Sequence, residues 1–367
     1  LIRYFLYLMV MNMVVNVTAF VPRIIIDERF EGSVMAVIIG IPLTVLLLYF
    51  FTNAMLRFPG KGLPEILFQH TSKWFNRPSL ILLSILFFFS GWILLLAFTD
   101  ITRTFINPEM TRFTILTIFL LVVGFGVLLK TEKVLYALEI LTLISLPFIL
   151  VIFFKAYTSP YLNWDSIRVV FTHVNELPTL SSLGSVTFSL YGFYNISIYN
   201  RVFKGEIKKI NIWWTMAIII LGYVNAFTSG FIPIGFNGTS GVEDFIYPWI
   251  STSDSLRMEY GFVERIIYIT LLLFIGASLI MVITIWHVGL KLLLSLFAPS
   301  KETRLKTRIL SRSIVTLLII VTYITGTRID ARQLLELTKL YYIILIPISI
   351  FFTIIVSWIA WGKKHET

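Results

Sequence analysis

Ten long apolar runs divide this chain, and they decide what it can fold into. They lie at about 4–22, 33–56, 79–99, 112–129, 134–155, 184–203, 212–232, 262–290, 309–326 and 338–361. A run of about 20 apolar residues, wound as an α-helix, matches the hydrocarbon thickness of a bilayer. In lipid the backbone N–H and C=O groups have to be satisfied internally, so such runs become transmembrane helices. Apolar residues make up 57% of the 367, and charged residues only 14%. A soluble domain is about 45–50% apolar and about 25% charged. The balance excludes a soluble enzyme, a disordered chain and a nucleic-acid-binding module. The expected fold is all-α, a single polytopic membrane domain over 1–367 with about ten transmembrane helices. The first run starts almost at residue 1 without an Ala-x-Ala-like cleavage site, so it reads as a retained helix rather than a signal peptide.

The net charge of +10 follows the loops, not a binding face. With the N-terminus in the cytoplasm, the inside positive charges are Arg3, Arg57, Lys61, Lys73, Arg77, Lys130, Lys133, Arg201, Lys204, Lys208, Lys209, Lys291, Lys301, Arg304, Lys306, Arg308, Arg312, Lys363 and Lys364. These are 19 of the 30 Lys and Arg residues, whereas most acidic residues fall on the other side. The positive-inside rule therefore predicts both termini in the cytoplasm. No cysteine is present and the four His residues are scattered, so neither a disulfide framework nor a metal site is expected. No nucleophile–base pair or phosphate-binding loop stands out, so neither enzymatic activity nor a cofactor is expected.

Ten spans suggest two repeats of five, about 1–156 and 184–361. In inverted-repeat transporters the site lies where corresponding helices of the two halves are interrupted near the midplane. The first span reads Met11-Asn12-Met13-Val14-Val15-Asn16-Val17-Thr18, with two amides four apart on one helical face. The sixth, Ser185 to Ser197, is the most polar span and carries Tyr191-Gly192-Phe193-Tyr194-Asn195. Glycine weakens a helix and lets backbone approach a ligand. Candidate binding residues are therefore Val15, Asn16, Val17, Thr18, Tyr191, Gly192, Tyr194 and Asn195, with Gly91 and Ser278 as further lining. The alternative is ordinary interhelical packing by small and polar residues. Glu139 is the carboxylate set well inside a span. It reads either as a proton-coupling group or as a partner of Lys133 or Lys130. Asn225 is expected to bond across helices, His287 to pack, and Glu264-Arg265 to form a capping ion pair. The segment 233–261, with Tyr247-Pro248-Trp249, is expected to form a partly re-entrant lid. Pro42, Pro147, Pro233 and Pro347 are expected to kink or end helices.

Several short motifs occur in a telling order. They are Val21-Pro22-Arg23, Phe58-Pro59-Gly60-Lys61-Gly62-Leu63-Pro64-Glu65, Tyr191-Gly192-Phe193, Tyr247-Pro248-Trp249-Ile250 and Phe262-Val263-Glu264-Arg265. In these the chain resembles the spore germination permeases, the GerAB-like B subunits of nutrient germinant receptors, within the amino acid–polyamine–cation permease superfamily. The resemblance implies a leucine-transporter-type 5+5 inverted repeat with interrupted helices 1 and 6. It also implies a small-molecule nutrient ligand such as an amino acid, residence in the inner spore membrane, and A and C subunits as partners. The chain departs from the family pattern in two places. Val15-Asn16-Val17 stands where a Gly-x-Gly step is usual, and Tyr194 where an acidic residue often follows Gly-Phe. Three functional readings stand: a nutrient-sensing receptor subunit, an active secondary transporter coupled through Glu139, and a non-binding scaffold.

Overall fold

A computed structural model describes residues 2–203, 210–257, 264–297 and 304–362. Lys204, Lys208, Lys209, Lys301, Lys363 and Lys364 lie outside the described residues, as do Phe262 and Val263. Among the described residues the regular structure is helical.

The first span is α1 (Ile2–Thr18) followed by α2 (Phe20–Asp27), bent by 56°. Pro22 causes the break. A proline cannot donate to the carbonyl four residues back, and its ring clashes with that carbonyl. Here that carbonyl is Thr18, and α1 stops there. The next elements are α3 (Ser33–Met55), the short α4 (Leu63–His70), α5 (Lys73–Phe105), α6 (Arg112–Val127) and α7 (Thr131–Tyr157). After α8 (Trp164–Phe171), the sixth span runs as α9 (Leu180–Ser189), a 3₁₀ turn (Tyr191–Asn195) and α10 (Ile196–Tyr199). Then come α11 (Ile212–Gly230), α12 (Ile232–Asn237), α13 (Pro248–Ser255), α14 (Ile266–Phe297), α15 (Arg304–Gly326) and α16 (Ala331–Gly362). Pro42, Pro147 and Pro347 sit inside α3, α7 and α16, and Pro233 opens α12.

Seven of these helices are long and apolar enough to cross a membrane, and the bent first pair makes eight. The two others of the ten expected are the 16-residue α6 and the broken sixth span. Many large apolar side chains point outward, among them Leu121, Phe125, Phe154, Leu272 and Trp358. A water-facing surface does not tolerate such a belt, whereas lipid favours it. The chain is a multi-pass membrane protein.

The packing repeats with a period of five spans. The first span packs on α7 as the sixth packs on α16. The first span also packs on α11 as the sixth packs on α3. α14 packs on α6 and α7 as α5 packs on α15 and α16. The pairs α5–α14, α3–α11, α6–α15 and first–sixth map onto themselves. The match is uneven: α16 on α3 and α14 on α1 have no comparable counterpart, and α5 meets α15 and α16 less extensively than α14 meets α6 and α7. Five is odd, so equivalent spans cross the bilayer in opposite directions, which is the meaning of an inverted repeat.

On the side away from the N-terminus the segment after α11, expected as a partly re-entrant lid, is folded as α12, a 3₁₀ turn (Gly241–Asp244) and α13, and its residues 258–261 lie outside the described ones. Tyr247, Trp249 and Ile250 are buried, and α13 packs on α1, α2 and α14. Arg23 donates to the carbonyls of Glu243 (2.6 Å) and Phe245 (2.9 Å), and Arg29 pairs with Glu243. Arg29 holds the Glu243 carboxyl below its ordinary pKa, first through the hydrogen bond and then through its charge. The expected Glu264–Arg265 pair does not form. Glu264 meets Arg257 at 3.5 Å and Arg265 meets Asp254 at 3.8 Å, because the loop brings an opposite charge to each from the preceding segment.

Candidate functional site

The break in the sixth span follows from its side chains. Ser185, Thr187 and Ser189 each donate a hydroxyl to the carbonyl three residues back. Such back-bonding bends helices. At Gly192 the chain tightens to a 3₁₀ turn, and this glycine abuts the first span. A Cβ there would lie 2.9 Å from the Leu8 carbonyl carbon and from the Met9 Cα.

A helix that ends inside a membrane leaves carbonyls without partners. The first span supplies one. Asn12 Nδ2 donates to the carbonyls of Phe188 (3.1 Å) and Ser189 (2.9 Å), the last two residues of α9. Asn16 Nδ2 donates to the Asn12 carbonyl at 2.7 Å. The two amides that share a helical face thus form a relay from α1 to the end of α9. A buried carbonyl left unmet costs about 1–3 kcal/mol, so this clasp fixes the first span against the sixth.

Beside the clasp lies a cavity of about 60 Å³. On that measure one water needs about 10–15 Å³, so about four or five waters fit, or a solute of comparable size. Its walls are Asn12 of α1, Leu83 to Ser90 of α5, the 3₁₀ turn, Met281 and Ile285 of α14, and one face of α16. No charged side chain lines it. Tyr191 and Tyr194 hold α16: the Tyr191 hydroxyl shares a 2.6 Å hydrogen bond with Ser349 Oγ. Tyr194 donates to the Ser349 carbonyl at 2.7 Å and meets Thr353 Oγ1 at 2.9 Å. Asn195 donates Nδ2 to the Gly192 carbonyl at 3.0 Å. Its Oδ1 is buried and has no partner.

Tyr191, Tyr194 and Asn195 are the candidates that line this cavity. Val15, Val17 and Thr18 are buried in the core within the next two turns beyond Asn12 toward the break, and do not line it. Asn16 acts behind Asn12. Gly91 lies against the Trp286 indole, whose Nε1 donates to the Phe88 carbonyl at 2.9 Å. Its neighbour Ser90 is the lining residue. Ser278 donates to the Ile275 carbonyl at 2.8 Å, a turn away from the lining Met281. Glu139 is outside the cavity and pairs with Arg3 at 3.4 Å rather than with Lys130 or Lys133. Asn225 Nδ2 is buried without a partner, so the expected cross-helix bond from it is absent. His287 packs as expected, with Nδ1 donating to the Val127 carbonyl at 2.9 Å and Nε2 meeting Thr131 Oγ1 at 3.0 Å.

The α16 wall went unforeseen. Tyr341, Leu345, Ser349 and Phe352 share one helical face, and that spacing of polar and aromatic side chains was the available signal.

Comparison with known proteins adds three findings. No curated protein matches this chain. Among solved structures, one similar to it is Mhp1, a nucleobase-cation-symport-1 family transporter in a closed conformation with bromovinylhydantoin bound. The two share 13% sequence identity with a TM-score of 0.47, over 90% of this chain and 74% of that one. The family model described as spore germination protein matches residues 2–329, nearly the full length, and the chain belongs to that family.

Proposed function

We propose that this protein is the permease-like B subunit of a nutrient germinant receptor. It would sit in the inner spore membrane with both termini in the cytoplasm, as one domain of two repeats, about 1–156 and 184–361. It would act there with an A subunit and a lipoprotein C subunit. The observation that carries this reading is the uncharged cavity at the break of the sixth span, where Asn12, Ser90 and Asn195 stand among aromatic and aliphatic side chains. A ligand biases a conformational equilibrium only through its different affinities for the two states. The cavity offers that leverage, because its walls belong to five separate spans.

The test uses spores deleted for this gene and complemented, across amino acids, sugars and nucleosides. Wild type restores the response to one nutrient class. Ser90→Leu and Ile285→Phe, which push apolar volume into the cavity, abolish it at normal protein level. A full response in both variants overturns the reading and favours a scaffold. Proton-coupled transport is less well supported, because Glu139 pairs with Arg3 and stands apart from the cavity.

A further inference from the structure

A second cavity opens on the N-terminal side, and its chemistry is the opposite of the first. It has a volume of about 790 Å³ between α4, the start of α5, Arg201 beyond α10, the end of α14 and Thr307 of α15. Four cations line it: Lys73, Arg77, Arg201 and Lys291. Glu65 is the one carboxylate among its lining residues, and Arg201 already uses it. Arg201 donates to Glu65 Oε1 at 2.7 Å and Oε2 at 3.1 Å, and Oε2 also accepts from the Gly62 N–H at 2.8 Å. Among the described residues Lys73, Arg77 and Lys291 make no ion pair within 4.0 Å. Glu132 is the carboxylate whose charge acts on Lys291. Among the described residues the cavity therefore carries an excess of positive charge.

Two of those cations stand where a helix disfavours them. Lys73 and Arg77 begin α5, whose first turn has no acidic residue, and the amino end of a helix is its positive end. Packing does not require them there, since both side chains are exposed. Phe68, Leu294 and Leu296 also line the cavity. In sequence between the two cations of α5, Trp74 is 92% exposed, and tryptophan prefers the membrane–water interface. Cations, apolar side chains and an exposed tryptophan together at helix ends match a phosphoryl headgroup with its glycerol and acyl chains.

We propose that this pocket is an anion site for a phosphoryl group, and that an anionic phospholipid of the surrounding leaflet supplies it. Basic pockets between helix ends hold such headgroups. An acidic peptide would be drawn to the same charge but has no use for the apolar lining or the exposed Trp74.

The experiment is native mass spectrometry of the whole purified chain, titrated with phosphatidylglycerol or phosphatidylcholine. Wild type retains phosphatidylglycerol in preference to phosphatidylcholine. The double variant Lys73→Gln/Arg77→Gln loses about thirty-fold in affinity for the anionic lipid, about five-fold per cation removed. Its thermal midpoint in neutral detergent stays unchanged, because neither side chain holds the fold. A second arm adds inorganic phosphate to delipidated protein. Stabilisation by phosphate that the double variant lacks, without lipid preference, confirms the phosphoryl site and assigns a free phosphate in place of lipid. Equal lipid preference in wild type and double variant overturns the proposal. So does protection by poly-glutamate alone, which would assign the pocket to an acidic protein partner.

Discussion

Asn12 shows how one side chain makes a broken helix tolerable inside a membrane. Its amide meets the two carbonyls that α9 leaves open, and no leucine or methionine of that size can do so. Asn12→Leu should lower stability by about 2–4 kcal/mol, two carbonyls at about 1–3 each with some rearrangement. Asn16→Leu removes one bond to a carbonyl that already lies within α1 and should cost about 1 kcal/mol. Thermal unfolding in a single detergent reads both, and equal losses would mean that the clasp does not hold the break. Gly192 needs a different reading from the one its sequence invites. Because its missing Cβ makes room for the backbone of Leu8 and Met9, Gly192→Ala should destabilise by about 1–3 kcal/mol, as overpacking does. A lost germination response in that variant reports helix packing and says nothing about ligand contact.

At the scale of elements, the sequence showed the helices because lipid allows so few alternatives. The ten runs map onto spans, and the break of the sixth falls at Tyr191–Asn195, where Gly192 and its polar neighbours pointed. The first span breaks later than its amides suggest, because Pro22 acts on Thr18, four residues back. The cavity was only half legible. Tyr191, Tyr194 and Asn195 advertise themselves in an apolar run. The α16 face looks like any other amphipathic stripe until the fold shows which span it meets. The Phe58 to Glu65 motif also acquires a physical role. Asn200, just after α10, donates Nδ2 to the carbonyls of Met55, Phe58 and Lys61. The inner half of the sixth span is thereby fastened to the turn before α4. The lid beyond α11 is fastened by charge instead, through Arg29 and Glu243. A carboxyl whose folded pKa lies below its unfolded value stabilises above the unfolded pKa and loses that effect as pH falls through the folded one. Protection against hydrogen exchange at 241–247, the ratio of the intrinsic to the observed rate, should therefore stay constant across neutral pH and fall only below about pH 4, the ordinary carboxylate range. Arg29→Gln should lower that protection at neutral pH. Fast exchange in wild type at pH 7 would show that the pair does not hold the lid.

For the whole molecule, the far side of the first span is where several elements around the central cavity are tied together, and a gate there is the reading to test. Asp27 at the end of α2 accepts from Arg23 at 2.8 Å and from Lys339 of α16 at 3.4 Å. Glu28 accepts hydroxyls from Thr179 and Ser181 at the start of the sixth span. One short helix is thus tied to the sixth and tenth spans, which line the cavity, and to the segment beyond α11. Opening toward that side requires those ties to part together. Lys339 and Asp27 are both mostly buried, so their pair is worth more than a surface pair, which contributes about 0–1 kcal/mol. Asp27→Asn should shift the closed–open balance by about 1 kcal/mol, a change of about five-fold in the open population. The chain has no cysteine, so Ser90→Cys places a single thiol in the cavity wall as a probe. A small water-soluble thiol reagent should modify it about five-fold faster in the Asp27→Asn background than with Asp27 intact. Glu336→Gln, which removes only the exposed partner of Lys339, should leave the rate unchanged. Equal rates in all three proteins would mean that solute reaches the cavity by another route, and the gate would then have to be sought at the N-terminal ends of α1 and α5.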